Sequence, residues 1–422
     1  MENDPAINRS IETIWRIEST RLIAGLARFT NGDLGQAEDL AQDALVAAIE
    51  DWPATGIPEK PGAWLFSTAR NRAIDGYRRQ ANLQQKYEQI GRQAEPLTPT
   101  VEEEVEESLD DVVGDDILNL IFMTCHPLLS MESRVALTLR LIGGLTTDEI
   151  ARAFLVSSGT VGQRISRAKR SLTEARVPFE LPSRGDLGVR LSSVLEVVYL
   201  IFNEGYSATA GDDWIRPGLC EEAMRLGRIV VTLAPDEPEV HGLISLMEIQ
   251  ASRIPARTDR DGQPILLDNQ DRSRWDRLLV KRGLAALEKA QELRAPLGPY
   301  TLQAAIAACH ARASSVEQTD WKRIAALYDA LAQATPSPVI ELNRAVAVSR
   351  AFGPAEALLL TDRLQASGDL SGYHLLPAVR GDLLQKVGRH DEARVEFERA
   401  AMLAGNRADR EIMIARAGEC AP

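Results

Sequence analysis

The stretch from Leu145 to Leu172, LTTDEIARAFLVSSGTVGQRISRAKRSL, constrains the fold most, because it spells two short helices joined by a tight turn. Thr146 and Glu149 stand three apart as a capping box, with Leu145 and Ile150 at the flanking staple positions, so a helix is expected to begin here. Ile150 and Phe154 give it a buried edge. Leu155, Val156 and Ser157 interrupt the period, and the side chain of Ser157 or Ser158 can cap a second helix. On that second helix Val161, Ile165, Ala168 and Leu172 recur at spacings of four, three and four, one apolar face at a helical period. Thr160 and Gln163 lie near its amino end, where a recognition helix reaches base edges, while Arg164, Arg167, Lys169 and Arg170 suit phosphate contact. The plainer alternative is a basic, solvated face on a structural helical pair.

Alternating Val, Ile, Thr and aromatic runs are almost absent from the 422 residues, so an all-α protein of several domains is expected. A net charge of -13 argues against a chain that coats nucleic acid nonspecifically, and any DNA contact must be local. The acidity gathers in places such as Val101 to Asp116, which reads as a solvated linker. Cys125, Cys220, Cys309 and Cys420 form no CxxC pair, so neither a disulfide framework nor a zinc site follows. Cys125 beside His126 reads as a buried small hydrophobe. No signal peptide is visible, and the most apolar stretch, Leu191 to Phe202, is too short to span a bilayer and carries Glu196. A cytoplasmic protein with no membrane partner is expected.

In chain order, Ile7 to Trp52 reads as two or three helices. One runs from about Leu34 to Glu50 with Asp33 as its cap and Ala37, Leu40, Ala41, Ala44, Leu45, Ala48 and Ile49 on the buried side. Asp39, Gln42, Asp43 and Val46 fall at i, i+3, i+4 and i+7, one outward stripe that could dock on a basic helical partner. Pro53, Gly56, Pro58 and Pro61 mark a loop before a helix over Gly62 to Gln80. There Arg70, Asn71, Arg78 and Arg79 interleave with Trp64, Phe66 and Tyr77, a pattern suited to melted DNA and also common on ordinary surface helices. Gln80 to Val113 reads as a flexible connector and Asp115 to Arg176 as a compact helical unit. From Leu187 the chain is Ala/Leu-rich and helical, with turns at Pro235 to Pro238, Pro296 to Pro299, Pro336 to Pro338 and Gly368 to Gly372. His374 to Asn406 matches the tetratricopeptide pattern through Gly381, Gly388, Ala393, Phe397 and Ala400, and Asn343 to Leu364 repeats it loosely. Ala256 to Leu267 reads as a small hairpin or ordered loop.

With these residues in view the chain resembles a bacterial extracytoplasmic-function sigma factor carrying a carboxy-terminal tetratricopeptide-like extension. The resemblance rests on AEDLAQDAL at Ala37 to Leu45, AWLFSTARNRAIDGYRR at Ala63 to Arg79, and GLTTDEIARAF with GTVGQRISRAKR up to Arg170. In the extension it rests on YLIFNEGYSA, DRSRWDR, LYDAL and SPVIELNRAVAV. It implies a region-two domain over residues 1–80, an acidic linker over 81–113, a region-four domain over 114–177 and a regulatory helical-repeat domain over 183–422.

By the same resemblance, Asp39, Gln42, Asp43 and Val46 correspond to the surface that grips the β-prime clamp helices of core RNA polymerase, whose β flap would also be met. Asp51 to Pro61 would pocket a flipped base of the minus-ten element, with Trp64, Asn71, Asp75 and Arg78 on the adjoining DNA-facing helix. Thr160 to Arg170 would read the minus-thirty-five element. Gly162 stands where many relatives carry a basic residue.

The expected function is promoter-specific initiation with core polymerase and promoter DNA as partners, without catalytic chemistry, cofactor or metal. The extension is expected to regulate, by packing on or positioning the promoter-binding domains or by binding a regulatory protein. The alternative is a helix-turn-helix regulator with a sensor domain that never binds polymerase. An enzyme reading rests on Glu204, Asp212 and Asp213 in FNEGYSATAGDDW, but no partnered nucleophile, phosphate loop or metal spacing accompanies them.

Overall fold

The structure is a computed structural model that describes residues 5–88, 109–154, 156–183, 185–207, 215–260, 265–405 and 407–420. Among the described residues it consists of α-helices and three short 3-10 turns, with no β-strand. The chain divides into two compact units, Met1–Val197 and Val198–Pro422.

In the first unit, α1 (Pro5–Phe29), α2 (Leu34–Thr55) and α3 (Pro61–Glu88) pack together, followed by α4 (Leu109–Thr124), α5 (Met131–Leu141), α6 (Thr147–Ala153) and α7 (Ser158–Glu174). Asp33 starts α2 as its residue type predicts: Oδ1 accepts from the backbone N–H groups of Gly35 and Gln36, both at 3.0 Å. Leu34, Ala37, Ala41, Ala44, Ala48 and Trp52 then form the buried seam.

Two expectations fail on α2. Ile49, assigned to the buried side, is 43% exposed, because Ala48 and Trp52 occupy the inward positions of that turn. The helix also runs through Pro53 to Thr55 instead of ending near Glu50, closed by Gly56 N–H donating to the Trp52 carbonyl at 2.9 Å. Buried Trp52 anchors this last turn, so the loop is shorter than its prolines suggest.

Both ends of the expected connector are helical. Helix α3 continues to Glu88 and α4 begins at Leu109, so only residues 89–108 of the expected linker lie outside the described residues. The turn between α1 and α2 presses against the chain that follows α7. Gly32 has φ +84°, and a Cβ there would lie 3.3 Å from the Val177 carbonyl oxygen and 3.4 Å from Phe179 Cβ.

The dividing point at Val197 falls inside α8 (Leu187–Tyr206). The leading half of α8 belongs with the first unit through side-chain ties: Ser193 Oγ donates to the Cys125 carbonyl at 2.7 Å, Arg190 to the Phe122 carbonyl at 2.6 Å, and Arg134 to Ser193 Oγ at 3.0 Å.

The second unit continues with α9 (Pro217–Leu233), α10 (Pro238–Ala251), α11 (Arg277–Glu292), α12 (Pro299–Arg312), α13 (Trp321–Ala334), α14 (Pro338–Phe352), α15 (Pro354–Ser367), α16 (Leu375–Lys386), α17 (His390–Leu403) and α18 (Arg407–Glu419). From α12 onward successive helices pack on one another, α11 and α12 both pack mainly on α10, and the apolar clusters follow one another along the chain, the arrangement of a helical-repeat array. In α16 and α17 the small residue and the ring of the repeat pattern meet: a Cβ on Gly381 would lie 2.9 Å from the fully buried Phe397 ring. Each proline-marked turn read from the sequence falls between two helices.

Candidate functional site

The helix-turn-helix forms as its caps dictate. Thr146 Oγ1 accepts from Glu149 N–H at 3.2 Å while Glu149 Oε2 accepts from Thr146 N–H at 2.8 Å, a complete capping box. Ser157 caps α7 by accepting from Thr160 N–H at 3.1 Å, and the Ser158 hydroxyl donates back to Asp148 of α6. Val161, Ile165, Ala168 and Leu172 are buried as one face, whereas Phe154 is only half-buried at the turn.

The opposite face carries exposed Gln163, Arg167 and Arg170, with Arg164 half-buried. Thr160 is half-buried and its hydroxyl lies 2.8 Å from Ser157 Oγ, so it serves the cap as well as the surface. Gly162 has no atom within 4 Å of a built Cβ, so its gap in the basic face is open space.

Lys169 is the exception on this helix. Its ammonium pairs with Glu38 of α2, and the same carboxylate receives Arg140 Nε at 2.7 Å. Arg140 also donates to the Leu145 carbonyl at 3.2 Å, which ties the pair to the start of the helix-turn-helix. The Glu38 side chain is 9% exposed. Burial disfavours its charge, but Lys169 and Arg140 outweigh burial and hold its carboxyl below the ordinary range. The sequence reading assigned Glu38 no role. The signal was present: an acid falls beside Ala37 and Ala41 on the apolar edge of an otherwise regular helix, where a carboxylate needs a partner.

On the outward side of α2, Asp39, Gln42, Asp43 and Val46 are all exposed. Gln42 reaches Glu38 Oε1 at 3.3 Å, and Arg72 of α3 donates to the Asp43 carbonyl at 2.7 Å. On α3, Asn71 is exposed, and Trp64 is half-buried with its ring against Trp52 at 5.3 Å, edge to face. Phe66 is half-buried and packs over Gly25, where a Cβ would lie 2.9 Å from its ring. The side chains of Asp75, Tyr77, Arg78 and Arg79 lie outside those described.

Among the described residues, the remaining candidates each have an ordinary partner or packing role. Cys125 is buried with Sγ 3.4 Å from Thr138 Oγ1, and burial raises its thiol pKa. His126 beside it falls to about 4, through burial and then the charges of Arg190 and Arg134. Its Nδ1 accepts from Leu128 N–H at 3.1 Å, a role for the neutral ring. The described cysteines are free and buried. Glu204 of the acidic FNEGY segment is engaged by Arg216 at 2.6 Å, and Asp212 and Asp213 lie outside the described residues. Among the described residues no group of three or more metal-ligating side chains occurs, and no helix is long and apolar enough to cross a membrane.

A capped helix-turn-helix with a basic face, packed in one unit with a three-helix domain, defines a two-part DNA-reading class of transcription protein. Comparison with known proteins agrees. Sigma-70 region 2 matches residues 17–83 and Sigma-70 region 4 matches residues 119–172. The ECF RNA polymerase sigma factor SigL of Mycobacterium tuberculosis is 32% identical over 142 residues, covering 33% of this chain and 75% of SigL. The chain belongs to the extracytoplasmic-function sigma factors and carries an additional carboxy-terminal helical domain. Within that domain, residues 190–291 match a family of unknown function, DUF6596. An uncharacterised protein of Rhizobium meliloti strain 1021 is 45% identical over 385 residues, 90% of this chain and 88% of its own length. No solved structure matches.

Proposed function

We propose that the chain binds core RNA polymerase through the exposed stripe Asp39, Gln42, Asp43 and Val46, and directs it to promoters through two DNA-reading surfaces. Helix α7 reads the minus-thirty-five element, with Gln163 and Thr160 toward base edges and Arg164, Arg167 and Arg170 on phosphates. Helix α3, with Trp64, Asn71, Asp75 and Arg78, meets the minus-ten element. Sigma families act without catalysis of their own, and we assign none to this chain.

The observation that carries this reading is the face of α2 left open to solvent opposite its buried seam. Four exposed positions on one face, carrying two acids, an amide and a valine, point away from the buried seam, and a DNA-binding repressor has no need of them. Lys169 is held by Glu38 and adds a phosphate contact only where that pair is broken.

Run-off transcription with core polymerase tests the proposal. Promoter-specific initiation by the full chain, lost together with polymerase copurification in the Asp39→Ala, Gln42→Ala double variant, is the expected result. Sequence-specific DNA binding without polymerase binding or initiation would instead make the chain a free-standing regulator. Replacing Arg167 with Ala is expected to weaken DNA binding nearly uniformly across sequences and to reduce the slope of log affinity against log salt by roughly one.

The carboxy-terminal unit is proposed to regulate this activity. A chain ending after Val197 keeps the half of α8 that ties to the first unit. A changed initiation rate in that chain is the expected outcome, and an unchanged one would remove the regulatory role.

A further inference from the structure

Among the described residues, the loop between α10 and α11 gathers buried polar groups that have no hydrogen-bond partner. Among the described residues, Arg253 Nε, Gln270 Oε1, Arg272 Nε and Trp275 Nε1 are all buried without a partner. Native folds satisfy nearly all such atoms, so a concentration of them within one loop points to something that completes them. Its described parts are tied together: Asp276 N–H donates to the Ser252 carbonyl at 2.8 Å, and Ile265 N–H to the Arg257 carbonyl at 2.7 Å.

Charge gathers at the same place. The guanidinium carbon of Arg257 lies 3.6 Å from the centre of the Tyr206 ring and that of Arg253 lies 5.7 Å from the same centre, so two cations share one aromatic side chain. Arg272 stands over Trp275 at 5.1 Å and donates to the His310 carbonyl at 2.8 Å and the Ala313 carbonyl at 2.6 Å. Glu204, the acid nearest in sequence to Tyr206, is engaged by Arg216. No carboxylate among the described residues pairs with Arg253, although most partly buried arginines of this unit have one, as Arg344 has Asp329 and Arg380 has Glu396. A partly desolvated guanidinium such as that of Arg253, beside other cations and without a carboxylate of its own among the described residues, lowers the stability of the unliganded fold, and an oxyanion relieves it.

We propose that Arg253, with Arg257 and the Tyr206 ring beside it, forms a binding site in the carboxy-terminal unit for an oxyanion, the carboxylate or phosphate group of a small molecule. The guanidinium of Arg253 supplies a planar donor fork with a buried Nε, the geometry that grips two oxygens of one anion. Surrounding titratable groups register the same field. His310 is lowered to about 4 by burial and then by Arg253 and Arg272. Tyr328 is raised to about 12, mainly by burial, with Tyr199 adding to burial and Arg253 opposing it. Both rings therefore stay neutral near neutral pH and can donate or accept without adding charge.

Calorimetric titration and thermal melting of the full chain, with inorganic phosphate and with succinate against chloride at matched ionic strength, test the site. Saturable binding of at least one oxyanion is expected, with a rise in melting temperature of about 3–6 °C at roughly ten times its dissociation constant. Phosphate alone would identify a phosphate ester as the source, and succinate alone a carboxylate. In Arg253→Gln, affinity should fall at least about tenfold, while the anion-free variant melts no lower than the parent, because no ion pair is lost. Absence of saturable binding by either anion overturns the proposal. So does undiminished binding in Arg253→Gln, or a variant that melts several degrees lower without anion, which would make the guanidinium a structural strut.

Discussion

Glu38 in the first unit and Arg253 in the second are both charges held at least partly out of solvent, yet their surroundings are opposite. Glu38 is one carboxylate between two cations, with its charge balanced by Arg140 and Lys169. Arg253 is one cation among others, with Arg257 and Arg272 near it and no carboxylate pairing with it among the described residues. A buried charge that is fully paired serves cohesion, and one left unpaired lowers stability until a partner arrives. The difference separates an internal fastening from a candidate receptor.

The largest expected effect comes from breaking the paired case. Glu38→Ala leaves Arg140 and Lys169 facing each other without the carboxylate and is expected to destabilise the first unit by about 2–4 kcal/mol, discounted because both cations can rehydrate. Denaturant unfolding of the full chain, followed by the loss of first-unit signal, measures it. Glu38→Gln should fall between, keeping the hydrogen bonds without the charge. The same change frees Lys169, so the salt dependence of DNA binding should steepen by about one phosphate equivalent. A Glu38→Ala chain as stable as the parent would remove the fastening from the comparison.

Acid tests the first unit differently. The folded pKa of His126 is about 4, below its ordinary 6.5, so the folded state binds fewer protons than the unfolded chain between those values. The contribution of the neutral ring is therefore complete above about 6.5 and lost as pH falls toward 4. Glu38 has a depressed pKa and holds its charge through the ordinary carboxylate range, so its contribution fails only at lower pH. His126→Asn keeps an acceptor for Leu128 N–H and removes the titration, and should flatten the loss of stability between pH 6.5 and 4. An unchanged slope would assign that loss to other groups.

A smaller effect is expected at the cap. Thr146→Ala removes the acceptor for Glu149 N–H and half of the capping box, at a cost of about 1 kcal/mol. Minus-thirty-five binding should weaken along with it, because α6 supports α7 through the Ser158 to Asp148 contact.

What could be read from the sequence divides along the same line. The helix-turn-helix, the Asp33 cap and the turns at Pro235, Pro296 and Pro336 were legible because local chemistry decides them: caps, glycines and prolines act within a few residues. The exposed stripe on α2 followed from periodicity alone. The Glu38 pairs were not, since Arg140 and Lys169 lie 102 and 131 residues away and nothing local announces which cations will meet an acid. The Arg253 cluster was illegible because the loop that carries Arg253 and Arg272 meets Tyr206 and His310, from two other segments, only in the fold.

The smallest effect bears most directly on the unpaired case. Arg253→Gln removes a charge that breaks no ion pair among the described residues, so the unliganded stability of the second unit should change by less than about 0.5 kcal/mol or rise slightly, opposite in sign to Glu38→Ala. His310 supplies an internal gauge of the charge removed. Burial is the larger cause of its depression to about 4, and Arg253 and Arg272 add to it. In Arg253→Gln the midpoint of His310, followed by NMR, should therefore move upward from about 4 while staying below the ordinary 6.5, because burial and Arg272 remain. Binding of an oxyanion to the parent should move it in the same direction, since a negative charge beside Arg253 cancels the same field. A midpoint that shifts with the substitution but not with saturating anion would place the anion elsewhere on the chain, and one that shifts with neither would mean that Arg253 lies too far from His310 to share a site with it.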